Sequence, residues 1–190
     1  MLAKTGIRRG ELHSLRVKDI NMKQAIIYVP PKAKRSYCTA FIDEELSSVL
    51  DEYLVWRKKH ARTDWLWVTG HGGRVHRDYP GQIIARIGEE LGLHDPDGPL
   101  SRKLTPHCCR HWFVTHLYRA GLRVDYIKWL RGDSIQKEAW QLYNHIDPEE
   151  VRQDYLRCIP QLISFDMRIS DYTGTQRAYL NPGQKIRAKP

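Results

Sequence analysis

Thr105-Pro106-His107-Cys108-Cys109-Arg110-His111 closes a stretch rich in Gly, Asp and Pro and opens a helix with a clear start and stop. Thr105 suits the N-cap, and Pro106 suits the first helical position, where a missing N–H costs nothing. Gly121 supplies the stop at the far end. His107 and Arg110 are three residues apart and so share a face near the helix N-terminus. That end of a helix favours anions, which makes a His and an Arg there a grip for a phosphate. Trp112, Phe113, Leu117 and Tyr118 supply the buried side. A metal site is the competing assignment, because His107 and His111 have the i, i+4 spacing of a zinc-binding pair. Position 108 lacks the Glu that such a site needs, and adjacent cysteines leave a helix on different sides. Zinc sites space their cysteines by two or more residues, so neither a metal nor a cofactor is expected.

Working outward, the chain alternates short helices with one hairpin. Ile7, Leu12 and Leu15 mark a short helix that ends before Lys18, with nothing ahead of Thr5 for it to pack against. Residues 24–29 read as a strand. Pro30 and Pro31 stop it, Lys32, Lys34 and Arg35 make a basic turn, and residues 37–42 return as a second strand. Residues 43–59 form an amphipathic helix with Asp43 as N-cap. Residues 65–68 read as a further short strand, 70–77 as a loop, 81–91 as a helix and 92–103 as a loop. Helices follow over 124–131, 134–145 and from Pro148 to about 159. The resulting class is α+β, mainly helical, with a small antiparallel sheet at one edge. Residues 1–163 form one domain, and 164–190 read as a flexible tail.

Composition sets the outer bounds. The chain has 190 residues, a formal net charge of +9, 41% hydrophobic and 28% charged residues. A chain of this size buries about 70% of its unfolded surface, enough for a real core. The basic groups, including Arg57, Lys58 and Lys59, suit a polyanion laid across a surface; a solvated basic face accounts for the same charge. Cys38, Cys108, Cys109 and Cys158 have no paired spacing, and no apolar run is long enough for a membrane. Free thiols and a cytoplasmic location follow as expectations.

Two smaller motifs gain meaning only in order. Arg8 lies in Thr5-Gly6-Ile7-Arg8-Arg9-Gly10-Glu11-Leu12, where Glu11 is spaced to orient an arginine of the preceding turn; a surface ion pair has the same spacing. Tyr143 lies in Tyr143-Asn144-His145, and it is one of ten tyrosines. Taken together and in sequence, TGIRRGEL, a lysine-bearing hairpin, TPHCCRH, LRGD and Tyr-x-His resemble the tyrosine recombinases and phage integrases. The resemblance covers residues 5–146.

That resemblance implies the catalytic-domain fold of the family and a set of roles. Tyr143 is the nucleophile, Arg8 and Arg110 clamp the phosphate, and His107 shuttles the proton with His111 beside it. Lys32 is the general acid, with Lys34 the second choice in the hairpin, and Lys34, Arg35 and Arg131 contact DNA. Where the family usually has Leu-Gly-His, this chain has Arg131-Gly132-Asp133, as some archaeal integrases do. An ionised Asp133 cannot donate to a phosphate oxygen, so it is expected either to orient His111 or Arg110 or to stay protonated, with Arg131 as a source of the lost donor. The implied partner is double-stranded DNA, with a homotetramer when full length, since the family's N-terminal DNA-binding domain and the helix before TGIR are absent here. The implied reaction is cleavage and rejoining of DNA through a 3′-phosphotyrosyl link, for integration or excision. A type IB topoisomerase-like enzyme and a non-catalytic DNA-binding remnant of a split integrase are the alternatives. Residues 147–163, with Leu156, Ile159 and Leu162 on the apolar side, either dock on a neighbouring protomer or fold back on their own domain.

Overall fold

The computed structural model describes residues 1–31, 38–133 and 146–162. It is α+β and mainly helical, as the pattern of the sequence indicates. The helices are α1 (Leu2–Thr5), α2 (Arg9–Ser14), α3 (Glu44–His60), α4 (Tyr79–Glu90), α5 (Pro106–Arg119), α6 (Val124–Leu130) and α7 (Pro148–Cys158). Strands β1 (Ile20–Asn21), β2 (Ile26–Val29) and β3 (Cys38–Phe41) form one antiparallel sheet in the order β1-β2-β3.

The hairpin expected from the two apolar runs is β2 with β3, in register from Ile26 opposite Phe41 to Val29 opposite Cys38. Successive side chains of a strand point to opposite faces. In β3 that alternation joins two cores. Ala40 and Ile42 pack with Leu12, Leu15, Ile27, Leu46, Leu50 and Leu66. Phe41, between them, turns to the other side and packs with Phe113, Leu117, Ile127, Leu130, Val151 and Tyr155. Its ring stacks on Trp129 at 5.9 Å and lies 5.8 Å from Tyr155.

Helix α3 starts where its N-cap dictates, because Asp43 Oδ1 accepts the Leu46 N–H at 3.1 Å. Helix α5 runs through the second core with Phe113 and Leu117 fully buried. Its stop is also as expected: Gly121 follows the last turn with φ 88°, a left-handed conformation that glycine adopts without strain.

Five expectations need correction. The residues before TGIR do form an element: α1 is one helical turn packed on α5. Gly6 then takes φ 61°, and a Cβ there would lie 2.4 Å from Phe113 Cδ1, so only glycine permits this close approach. Residues 65–68 make single bridges (Arg16 with Trp65, Val68 with Arg74) and no ladder, because no neighbouring strand runs alongside. On α5, Tyr118 is 64% exposed and Trp112 only half-buried, since the helix offers its neighbours a narrower stripe than its apolar content allows. On α7 the buried residues are Val151, Tyr155, Cys158 and Ile159, while Leu156 and Leu162 are exposed. That segment folds back on its own domain. Arg57 is likewise no surface charge, since it donates to the carbonyls of Thr63, Trp65 and Leu66 and closes the loop after α3.

A buried lysine fastens the fold-back. Lys4 Nζ donates to Asp43 Oδ2 at 2.7 Å and to the Pro160 carbonyl at 2.7 Å, and it pairs with Glu45. The Tyr155 hydroxyl donates to the Lys4 carbonyl at 2.7 Å, and burial holds its pKa well above the usual phenol value. One cation thus ties α1, the start of α3 and the chain after α7. Lys4→Ala strands the buried Asp43 carboxylate and the half-buried Glu45, so urea unfolding should show a loss of about 3 kcal/mol. Lys4→Met, which restores the apolar stem without the charge, should lose nearly as much. A loss under about 1 kcal/mol, the range of an exposed pair, would remove Lys4 from this role.

Candidate active site

The site forms where the end of α1, the start of α5 and the end of α6 meet. After Gly6 the chain is extended at Arg8, which caps α2. Glu11, in the first turn of α2, accepts the Arg8 backbone N–H through Oε2 at 2.7 Å and lies 3.5 Å from Arg8 Nη1 through Oε1. The Glu11 side chain is buried, while that of Arg8 is 47% exposed. Glu11 thus makes the carboxylate contact that its spacing from Arg8 suggested, mainly to the Arg8 backbone. A buried carboxylate fixes the backbone at Arg8 and leaves its guanidinium reaching into solvent.

Arg110 has the opposite character. Its side chain is 6% exposed, and it donates to the Gly6 carbonyl, to the Arg131 carbonyl at 3.2 Å and to Asp133 Oδ1 at 3.1 Å. The Arg131 and Asp133 acceptors are delivered by the way α6 ends. Gly132 has φ 57°, its N–H bonds to the Trp129 carbonyl at 2.8 Å, and the Asp133 N–H bonds to the Lys128 carbonyl at 3.2 Å. This is the paired hydrogen-bond pattern of a glycine-terminated helix. It turns the Arg131 carbonyl and the Asp133 side chain back toward α5.

Asp133 is the point of convergence. Its Oδ1 lies 3.1 Å from Arg110 Nη2 and 3.6 Å from Arg8 Nη2, and its Oδ2 lies 3.0 Å from Arg131 Nε. The Arg131 contact is an ion pair whose direction misses a hydrogen bond. Among the described residues three guanidinium groups thus meet at Asp133, and Glu11 stands beside one of them, Arg8. Of the two orienting roles expected for Asp133, the geometry supplies contact with Arg110. An arginine cluster on one edge of a domain, open on the Arg8 side, has the chemistry of an oxyanion pocket.

His107 and His111 occupy the exposed side of α5, ring edge to ring face at 4.4 Å. His107 and Arg110 thus divide what their spacing suggested they would share, one facing solvent and the other turned inward. The adjacent cysteines point apart, as a helix requires. Cys108 Sγ approaches the Lys103 carbonyl at 3.6 Å, while Cys109 packs against the first core. Among the described residues no group of three or more His, Cys, Asp or Glu is placed to hold a metal ion, all four cysteines are free thiols, and no helix is long and apolar enough to cross a membrane. Lys32, Lys34, Arg35 and Tyr143 lie outside the described residues.

Residues 1–150 match the model of the Phage integrase family. The chain belongs to that family. It is 26% identical over 164 residues to tyrosine recombinase XerD of Staphylococcus epidermidis (strain RP62A), an alignment covering 85% of this chain and 53% of that one. Tyrosine recombinase XerC of Oceanobacillus iheyensis is 26% identical over 166 residues, covering 85% and 52%. The chain spans about half the length of the curated relatives it matches. Among solved structures, XerA recombinase superposes with a TM-score of 0.63 at 27% identity, covering 84% of this chain and 56% of that one. XerH recombinase in a pre-cleavage complex with its difH substrate superposes with a TM-score of 0.59 at 22% identity, covering 80% and 43%, a likeness of fold.

Of the acceptors of Arg110, Asp133 was expected from the sequence and the two backbone carbonyls were not. The Gly6 and Arg131 carbonyls are backbone atoms, and the clue to both was a glycine, in Thr5-Gly6 and in Arg131-Gly132. Cys109 offers a check on the placement of α5, because burial pushes its thiol pKa above the usual value. Its alkylation by iodoacetamide, followed by mass spectrometry of the peptide, should lag that of a free thiol at neutral pH and catch up only at pH above the ordinary thiol range. Fast labelling at pH 7 would show that this face of α5 is not packed as described.

Proposed function

We propose that this chain is the catalytic half of a site-specific DNA recombinase, cleaving and rejoining DNA through a 3′-phosphotyrosyl intermediate. The observation that carries the reading is the convergence of Arg8 and Arg110 on a single carboxylate oxygen. These are the two arginines that the family resemblance assigns to the scissile phosphate, and two guanidinium forks aimed at one oxygen suit an oxyanion gaining charge.

In this reading Tyr143 attacks the phosphorus and the 5′-oxygen leaves. The bond energy is kept in the phosphotyrosyl link, so a second 5′-hydroxyl reverses the step without ATP. A phenol has a pKa near 10 and needs a proton acceptor at neutral pH. His107, exposed on α5 beside His111, fills that role. Lys32 in the hairpin protonates the leaving oxygen, with Lys34 the alternative, and Lys34, Arg35 and Arg131 add contacts to the duplex. Neither metal nor cofactor enters these steps. The partner is double-stranded DNA in the cytoplasm. Residues 1–163 act as the catalytic domain, residues 164–190 as a tail, and a homotetramer forms on DNA when the rest of the protein is present. A further fold neighbour, the Tn1549 transposon integrase (TM-score 0.59, 21% identity), is in complex with transposon right end DNA, which supports the choice of partner. A second reading, DNA binding without cleavage, draws on Asp133: an acceptor stands where the family usually places a donor.

Nicked suicide duplexes separate the two. The wild-type chain should accumulate a covalent adduct resistant to detergent, and Tyr143→Phe should form none while binding DNA within about twofold of wild type. Absence of adduct in the wild type would favour the non-cleaving reading, and adduct formation by the Phe variant would exclude Tyr143. Relaxation of a supercoiled plasmid that carries no recombination site would point instead to topoisomerase-like chemistry. For the general acid, Lys32→Ala should recover cleavage on a substrate with a 5′-bridging phosphorothiolate, whose sulfur leaves without a proton. Recovery of Lys34→Ala instead would move the role two residues along the hairpin.

A further inference from the structure

Asp133 occupies an unusual place for an acid. A pocket meant for a phosphate would gain most from cationic and neutral donors, yet here a carboxylate that is 26% exposed sits among Arg8, Arg110 and Arg131. Its Oδ1 already takes the position that a phosphate oxygen bridging Arg8 and Arg110 would take. The three contacts are unequal. Arg110 is buried and has the Gly6 and Arg131 carbonyls as further anchors, so its orientation survives without Asp133. Arg8 is half-exposed and sits 3.6 Å from Asp133 and 3.5 Å from Glu11, so it is the guanidinium most easily drawn away.

We propose that Asp133 is an internal counter-anion of the phosphate pocket, holding Arg8 and Arg110 in the free protein and competing with the incoming phosphate for Arg8. Arg131 is its second anchor. By pairing with Oδ2 at 3.0 Å it draws charge away from the pocket and weakens the competition. The pocket therefore binds phosphate less tightly than its arginines alone would, and the balance between Arg131 and Asp133 sets by how much. The identity of the anion as a DNA phosphate rests on the function proposed above; the competition itself does not.

Titration with inorganic phosphate, read from the arginine Nε–H signals by NMR, tests this without any bond being broken. Asp133→Asn keeps the shape and removes the charge, and it should bind phosphate about tenfold more tightly than wild type, the scale of one charge acting across a partly solvated pocket. Arg131→Gln keeps the carbonyl that Arg110 needs and frees Asp133 for the pocket, so it should bind phosphate several-fold more weakly. If Asp133 instead served only to position Arg110, Asp133→Asn would bind phosphate equally or more weakly, and the proposal would be overturned. Should Asp133→Asn fail to fold, Arg131→Gln decides alone: equal or tighter binding sinks the idea. A chain that shows this order of affinities but forms no adduct loses the cleavage reading and keeps this one, whereas adduct formation with unchanged affinities does the reverse.

Discussion

A guanidinium taken almost wholly out of water is costly unless oxygens meet its N–H groups, and Arg110 is such a group. Its acceptors come from two separate places: the Gly6 carbonyl after α1, and the turn that ends α6, which presents both the Arg131 carbonyl and the Asp133 carboxylate. Each is delivered by a turn that only a glycine makes comfortably, Gly6 at φ 61° and Gly132 at φ 57°. The order of events in the architecture follows from this. Phe113 leaves room for nothing larger than glycine at position 6, the turn there presents its carbonyl, and Arg110, one helical turn before Phe113, reaches it.

The two cores serve this arrangement from either side. One backs the hairpin and α3; the other gathers α5, α6 and α7 around Phe113 and Tyr155. Phe41 and its neighbours in β3 couple the two, because a strand's alternation places consecutive side chains in different cores. Lys4 then closes the ring, binding α1 to the start of α3 and to the chain after α7. The position of Gly6 is therefore constrained by packing on one side and by a buried ion cluster on the other.

What could be read in advance followed from local chemistry. Asp43 and Thr105 announced their helices, the alternation in 24–29 and 37–42 announced the hairpin, and the spacing of Arg8 and Glu11 announced the carboxylate that fixes Arg8. The order of the motifs brought Arg8 and Arg110 into one site before any coordinates did. What escaped depended on tertiary context. Tyr118 and Leu156 look like core residues in a list of apolar side chains, but whether they are covered depends on which stripe of each helix finds a neighbour. Residues 65–68 have strand composition yet no strand beside them to pair with. The Gly6 and Arg131 acceptors of Arg110 escaped because backbone carbonyls carry no signature except the turn that exposes them.

The same logic bears on why an aspartate is tolerated where two arginines converge. The family resemblance sets Leu-Gly-His against Arg131-Gly132-Asp133, so an apolar residue and a near-neutral donor are replaced by a cation and an anion. The pair sums to zero, as the residues it replaces nearly do, and the 3.0 Å contact between Arg131 and Asp133 keeps the exchange local. Either half alone would shift the pocket by a full charge. Preorganised donors are effective because they need not rearrange as charge develops, and here the organising groups are themselves ionic. Arg110 is fixed by its carbonyl acceptors, whereas among the described residues the Arg8 guanidinium has two long ion pairs at the solvent edge. The cluster is thus anchored on the Arg110 side, and its half-exposed side is the one that carries Arg8.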